Sequence, residues 1–403
     1  MVRFFVQFTN GQTVYYSGQT LSGSIVLELS GPWPVLSRSV CLGIHGEAYA
    51  IKKECKTRYY DYVCYLNRVL KLWSAPPGQE SLPAGIHRFP FSFKLPDRLP
   101  RSFEHDANTY GGLLAVERSY IRYWVVASVD RPSHSDITCK VPFTILEYIN
   151  INDACLLHSM TSENEKQLCC CCCTSGPLFL SASVDRMGYC PGETVTISAS
   201  AENHSSRQLV GLQARLVAVT TVLSPTNGLA TRNKVTVTRL GTGRAIPPRG
   251  SDSWSNAKLE IPALPPTIDS CRMLTRDYYV QVEIAVARGF DLETYFPIII
   301  GSVPFRESSQ VNDVVTIDST DIDGCGYPPP LTVPRSATTV PAAVPQFTVS
   351  NQVINVAANG DQSALNYTPV YPYAHNARKA PTAIATRGDP PEYEEGKEDQ
   401  PLL

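Results

Sequence analysis

The residues of this chain best placed to do chemistry lie in its last fifteen, Asp389 to Leu403, which read DPPEYEEGKEDQPLL. Their chemistry is that of being gripped rather than of breaking bonds. Pro390, Pro391, Glu392 and Tyr393 spell P-P-x-Y. Paired prolines hold φ near the polyproline II value, so they lie ready-shaped across an aromatic groove while the Tyr393 ring enters a second pocket. That is the ligand of a WW domain. Glu398, Leu402 and Leu403 match an acidic dileucine pattern resembling the sorting signal read by clathrin adaptors, with the charge steering and the leucines filling an apolar slot. The plain alternatives are a turn in a proline-rich tail and a chance match at a terminus.

Bond-making chemistry finds less support. The seven histidines form no H-E-x-x-H, and neither a G-x-S-x-G elbow nor a G-x-x-x-x-G-K-[ST] loop occurs. The chain reads as no enzyme, with no cofactor and no metal. Five consecutive cysteines, Cys169, Cys170, Cys171, Cys172 and Cys173, admit three readings. They are candidates for palmitoylation, where two lipid chains anchor far more stably than one. They could be compact apolar filler in a strand entering a sandwich, the preferred reading. Zinc needs four ligands at tetrahedral spacing, and no second C-x-x-C supplies the other pair. Lys52, Lys53, Lys56 and Arg58, beside Tyr59, Tyr60 and Tyr62, form a basic cluster that suits acidic or phosphorylated tails or anionic lipid, or else a solvated hairpin. Lys379 and Lys397 flank P-P-x-Y, within reach of an enzyme docked there.

The totals narrow the setting. With 35 basic and 37 acidic residues among 403, the formal charge is -2, so no global field recruits nucleic acid or anionic membrane. The N-terminus, MVRFFVQFTN, carries no long apolar stretch, and no apolar run reaches the ~18 residues of a membrane helix. The 13 cysteines are an odd number with five adjacent, which suits reduced thiols. A cytoplasmic protein is expected.

Something must hold these motifs in place. From Val2 to about Tyr148, short alternating apolar stretches recur between Gly, Pro and Asn breaks, as in Ser24 to Leu29 and Arg88 to Phe93. No useful length keeps a 3.6 period, so an all-β sandwich is the economical reading. Pro177 to about Phe305 repeats the grammar. Tyr16-Ser17-Gly18-Gln19 is echoed by Tyr189-Cys190-Pro191-Gly192-Glu193, and Leu95-Pro96 with Leu99-Pro100 by Ile261-Pro262 with Leu264-Pro265. A duplicated sandwich explains both echoes. The boundaries are a first sandwich over 1–150, a hinge with the cysteine run over 151–176, a second sandwich over 177–307, and a disordered proline-rich tail over 308–403. Such a tail buries too little apolar surface to offset its ordering entropy, and would let Tyr393 search tens of ångströms.

These residues carry a family likeness. The chain resembles an α-arrestin, an arrestin domain-containing protein, over both sandwiches and the tail motif. The likeness rests on Asn10-Gly11 with Val14 to Gln19 and Gly23, Tyr65-Leu66-Asn67 leading to Leu72-Trp73, and Leu82-Pro83-Ala84-Gly85 running to Phe89-Pro90-Phe91. Leu99 to Phe103, Gly188-Tyr189 with Pro191-Gly192-Glu193, and Pro297 to Gly301 complete it. The resemblance implies two tandem immunoglobulin-type arrestin-like sandwiches and an adaptor role. Such an adaptor brings WW-domain HECT-type E3 ubiquitin ligases to receptors and transporters at plasma membrane and endosomes, promoting their ubiquitination, endocytosis and sorting, with peripheral membrane association. Pro390, Pro391 and Tyr393 are the recruiting residues carried over. A second WW site, which relatives often bear, is here reduced to Pro369 and Tyr371, the first proline being replaced by Thr368. Two intact sites would raise avidity on the order of 100-fold or more. Pro381-Thr382-Ala383-Ile384 falls short of P-[ST]-A-P at Ile384. The charged core of the phosphate-sensing branch is not placed residue by residue. The runner-up is a retromer-like trafficking scaffold on the same body, acting without a ligase.

Overall fold

The computed structural model describes residues 2–31, 34–54, 57–106, 114–132, 134–170, 173–224, 228, 230–287, 289–305, 314–316 and 369. Among them, strands dominate and the only helical turns are short 3-10 segments at Thr9–Gly11 and Ala154–Leu156. The first half contains β1 (Val2–Phe8), β2 (Val14–Tyr16), β3 (Thr20–Leu29), β4 (Val35–Leu36), β5 (Ser39–Glu54), β6 (Thr57–Ser74), β7 (Ser81–Leu82), β8 (Gly85–Lys94), β9 (Phe103–Asp106), β10 (Leu114–Asp130) and β11 (Ile137–Leu146). The second contains β12 (Ser159–Cys170), β13 (Cys173–Val184), β14 (Gly188–Tyr189), β15 (Thr194–Asn203), β16 (Gly211–Leu223), β17 (Ala230–Gly241), β18 (Ser251–Glu260), β19 (Leu274–Ala285), β20 (Leu292–Ile300) and β21 (Val314–Thr316).

Each half is a sandwich. In the first, the sheet β1-β3-β8 faces β2-β11-β10-β5-β6, with β9 paired to β10. In the second, β18-β15-β13-β12-β21 faces β14-β20-β19-β16-β17. The period-two pattern does what it predicts: Phe89 and Phe91 of β8 are buried while Arg88, Pro90 and Ser92 face out. Val195, Ile197, Ala199 and Ala201 of β15 point inward in the same way. At about 1.5–3 kcal/mol for each fully buried aliphatic or aromatic side chain, this patterning supplies most of the drive to fold.

The duplication extends to individual hydrogen bonds. Tyr16 N donates to Gln19 Oε1 at 2.9 Å, and Cys190 N to Glu193 Oε2 at 3.0 Å. The turns between need φ of +81° at Gly18 and +93° at Gly192, which side chains other than glycine adopt poorly. Tyr123 Oη donates to the Pro100 carbonyl and Tyr278 Oη to that of Pro265, both at 2.6 Å. Ser102 and Thr267 then exchange equivalent bonds with Ile145 and Ile300. A short parallel strand closes one sheet of each half, β2 on β11 and β14 on β20.

Three expectations need correction. The cysteine run does not lie on the hinge. Cys169 pairs with Thr174 and Cys170 with Cys173, so the run turns a corner at the far end of the β12–β13 hairpin. No glycine or proline marks that turn in the sequence, which is why it reads as continuous strand. The actual connection is the stretch 147–158, between the ends of β11 and β12. The tail also begins later than 308, because Val314 to Thr316 run parallel to Ser159 to Thr161 as the last strand of the second sandwich. Its three β-branched residues suit an edge strand. Lys52, expected with the solvated cluster, is buried and ion-paired.

Candidate functional site

The two sandwiches are locked rather than loosely hinged. Val222, Ile268, Cys271, Met273 and Leu274 of the second half join the hydrophobic core of the first. In the connection, Ile149 and Leu156 pack into the core of the second half. Gly301 leaves room there, since a Cβ on it would collide with the Ile151 side chain and the Ile149 carbonyl.

Polar contacts reinforce the seam at several places. Lys52 Nζ sits 2.7 Å from Asp61 Oδ2 on the β5–β6 hairpin, and Ser224 Oγ from beyond β16 donates to Asp61 Oδ1 at 2.8 Å. The pair is buried on both sides, so it costs desolvation and gains its worth from geometry and specificity. Tyr65 Oη donates to Cys271 Sγ at 3.3 Å and accepts from Arg272 N at 2.9 Å. Burial raises the Tyr65 hydroxyl well above the ordinary phenol range, with the Cys271 thiol adding to the shift, so it stays a neutral donor. Arg101 is 1% exposed, and its Nη2 reaches Glu147 Oε2 at 3.1 Å, where Ser270 Oγ donates at 3.0 Å. Its Nε and Nη1 have no hydrogen-bond partner among the described residues. Sequence reading did not single out Arg101 or Glu147, although Arg101 lies inside Leu99 to Phe103, one of the stretches that carries the resemblance.

The outer face of the first sandwich's larger sheet carries aromatic rings and cations. Tyr49 lies 5.2 Å from Tyr120 and 6.3 Å from Tyr60, and the Arg122 guanidinium sits 4.0 Å over Tyr120. Farther along, Trp124 stacks on His45 and receives Lys140 Nζ at 4.1 Å. Burial and then Lys140 lower the His45 pKa, so the ring is neutral at pH 7. Of the basic cluster, Arg58 is exposed beside exposed Tyr59, Tyr60 and Tyr62, whereas Lys52 belongs to the seam. Lys56 lies outside the described residues.

The carboxylates of Glu283, Asp291 and Glu293 lie within 4.8 Å of one another. Each already has a donor: Arg215 and Gln281 for Glu283, Val286 N for Asp291, and Tyr295 for Glu293. The group is a structural network.

Pro390, Pro391, Tyr393, Glu398, Leu402, Leu403 and Tyr371 lie outside the described residues, as do Lys379, Lys397, Cys171 and Cys172. Pro369, the proline of the degenerate upstream motif, is described and is buried. No helix among the described residues is long and apolar enough to cross a membrane.

Comparison with known proteins fits this architecture. Residues 4–152 match the arrestin (or S-antigen) N-terminal domain, and residues 174–305 match its C-terminal domain. Human arrestin domain-containing protein 4 is 32% identical over 305 residues, covering 72% of this chain and 69% of the relative. Arrestin domain-containing protein 17 of Caenorhabditis elegans is 29% identical over 322 residues, 75% of this chain and 71% of the relative. Rat thioredoxin-interacting protein is 28% identical over 308 residues, 74% and 73% respectively. With two locked sandwiches, matched domain by domain and in order, the chain belongs to the α-arrestin family of arrestin domain-containing proteins, whose members serve in general as trafficking adaptors and scaffolds rather than enzymes.

Proposed function

We propose that this protein recruits WW-domain HECT-type E3 ubiquitin ligases to membrane receptors or transporters and so promotes their ubiquitination, endocytosis and endosomal sorting. The observation that carries the reading is P-P-x-Y at Pro390, Pro391 and Tyr393, with Tyr393 placed 77 residues beyond Thr316, the last residue of the last described strand. A locked body of two sandwiches is suited to holding cargo or its membrane surroundings. A hook far along the chain is suited to holding the ligase. Binding both at once raises the ligase's local concentration around nearby lysines without new contacts between ligase and cargo.

Pro391 and Tyr393 carry the affinity in this reading. Pro369 and Tyr371 add little, because Thr368 replaces a proline and Pro369 is buried. The acidic dileucine at Glu398, Leu402 and Leu403 serves clathrin adaptors at plasma membrane and endosomes.

Tyr393→Ala in the full chain is expected to lower capture by a tandem WW fragment of a HECT ligase at least tenfold, the loss of one buried aromatic anchor, while the thermal unfolding midpoint stays unchanged. Unaltered capture by that variant would overturn the ligase reading and favour a retromer-like scaffold on the same body.

A further inference from the structure

The β5–β6 hairpin carries tyrosines on its outer strand. Register sets Tyr60 opposite Ile51 and Tyr62 opposite Tyr49, and on the far side of β5 it sets Arg118 opposite Ile51 and Tyr120 opposite Tyr49. Successive side chains point to opposite faces of a strand, so Tyr60 and Tyr62 share the outer face of the sheet with Tyr49, Arg118 and Tyr120. Asp61, between them, points the other way, into the seam with Lys52 and Ser224. β6 is also the last strand of its sheet, and among the described residues its outer edge takes no further strand.

Among the described residues Tyr59, Tyr60 and Tyr62 are exposed, Tyr60 the most at 62%. Half-buried Tyr65, Tyr120 and Tyr295 spend their hydroxyls on Cys271, Glu47 and Glu293. Tyr62 is tied to Cys64, and burial together with that bond raises its hydroxyl to about 12. Tyr60 keeps a ring contact alone, 6.3 Å from Tyr49. Beyond Tyr49 stands Arg118, its guanidinium 5.7 Å from the centre of the Tyr120 ring. Burial and Tyr60 raise the Tyr49 hydroxyl while Arg118 opposes them, so Tyr49 lies within reach of both neighbours.

We propose that Tyr60 is a phosphorylation site for an ATP-dependent protein tyrosine kinase, and that Arg118 holds the added phosphate on the outer face of the sheet. A kinase takes its target on an extended segment, and an edge strand is one already, with a row of backbone groups open to pairing. Tyr60 can therefore be offered without unfolding. Its phenol oxygen attacks the γ-phosphorus of Mg-ATP, an O–P bond forms as the bond to the β,γ-bridging oxygen breaks, and ADP leaves. The phenol proton passes to the aspartate of the kinase catalytic loop. The product carries about −1.5 to −2 charge at pH 7, a match for a guanidinium two strands away across Ile51.

The second sandwich shows that the scaffold does not itself demand these rings. With Tyr123 matched to Tyr278, the row of Tyr62, Tyr49 and Tyr120 corresponds to Arg232, Thr221 and Thr275. The first copy alone sets tyrosines and an arginine side by side at this level of the sheet. Because Asp61 faces the opposite way, a phosphate on Tyr60 stays clear of the buried ion pair that helps to join the halves.

The test uses the purified full chain, Mg-ATP and the catalytic domains of two tyrosine kinases with different sequence preferences, with sites and rates read by mass spectrometry. Tyr60 should be modified ahead of Tyr59 and Tyr62, and on the order of tenfold faster than half-buried Tyr49, Tyr65 and Tyr120, which need local opening. Tyr60→Phe should remove that signal and leave the thermal unfolding midpoint unchanged. Followed by phosphorus-31 resonance, the new phosphate should lose its second proton below the ordinary value of about 6, and Arg118→Gln should return it there. Modification of Tyr60 only in urea, or behind Tyr59 or Tyr62, would overturn the site. A phosphate whose ionisation ignores Arg118→Gln would overturn its placement. None of these readouts involves Tyr393, so they stand or fall apart from ligase recruitment.

Discussion

The two sandwiches agree at the turn, the tyrosine corner and the closing parallel strand, and they part company at the outer edge of the opposing sheet. In the first, β1 pairs with β3 and, among the described residues, its other edge takes no further strand. In the second, the corresponding edge of β13 is covered by β12 and then β21. An open edge is a template for unwanted pairing, and covering it with more chain is one way to manage that liability. The cover brings two things the first copy lacks, a cysteine-bearing hairpin end and the departure point of the tail. The hairpin end and the last strand are thus additions to the second copy, laid on a scaffold both copies share.

The copies also differ in charge at matched positions. One residue before Ser102 stands buried Arg101; one residue before its counterpart Thr267 stands Pro266. One residue before Tyr123 stands Arg122, clamped by Glu104; one before Tyr278 stands Asp277. Gln19 and Glu193 occupy the same place in their turns, but Glu193 also accepts from Arg186 Nη2 at 2.9 Å and from Phe305 N at 3.0 Å.

The largest expected effect comes from the charge the second copy lacks. Glu147→Ala strips Arg101 of its carboxylate partner and should cost about 3 kcal/mol in denaturant unfolding, whereas Arg101→Met should cost less, about 1 kcal/mol. Equal costs would show that Arg101 holds the seam by packing alone. Next is the turn. Glu193→Gln should cost about 2 kcal/mol, since the half-buried Arg186 loses its nearer carboxylate and keeps only Asp185 at 3.9 Å. Gln19→Glu, which keeps its acceptor oxygen, should change stability by about 0.5 kcal/mol or less. Similar losses at the two sites would break the distinction between a plain turn and a turn recruited into a charge network.

The smallest effect is one of pH. Burial, reinforced by Asp269, raises Asp277 from 3.8 to about 6, against opposing contributions from the Thr275 hydroxyl and nearby arginines. The native state therefore holds a proton that the unfolded chain releases between these values. That contribution is full below the unfolded pKa and is lost as pH rises through about 6. Asp277→Asn should accordingly stabilise the protein by about 1–2 kcal/mol more at about pH 7.5 than at about pH 4.5. A flat difference between the two conditions would show that Asp277 is solvated like a surface carboxylate.

Much of this architecture is legible in the sequence because its signals are local. Alternation in Arg88 to Phe93 reports a half-buried strand, and the paired Tyr-x-Gly turns and Leu-Pro pairs report duplication. What the sequence conceals depends on distant partners. Lys52 reads as one more cation until Asp61 and Ser224 surround it, and Arg101 reads as an exposed loop residue until Glu147 and Ser270 arrive from elsewhere in the chain. Cysteine suits a strand and a turn about equally, so the run gave no sign that it bends back at Cys170 and Cys173. Val314 to Thr316 are too few to register as a period. The tail motifs, by contrast, are legible only as sequence, because each is recognised by a short string of side chains.

The parallel pairing of β21 sets a heading. Thr316 lies opposite Thr161 and runs in the same direction as β12, whose last residue, Cys170, is nine positions farther on. At about 3.3 Å per residue that is roughly 30 Å of strand. β21 therefore covers only the first three residues of β12, and among the described residues the rest of that edge takes no further strand, a length open to strand addition in the same direction.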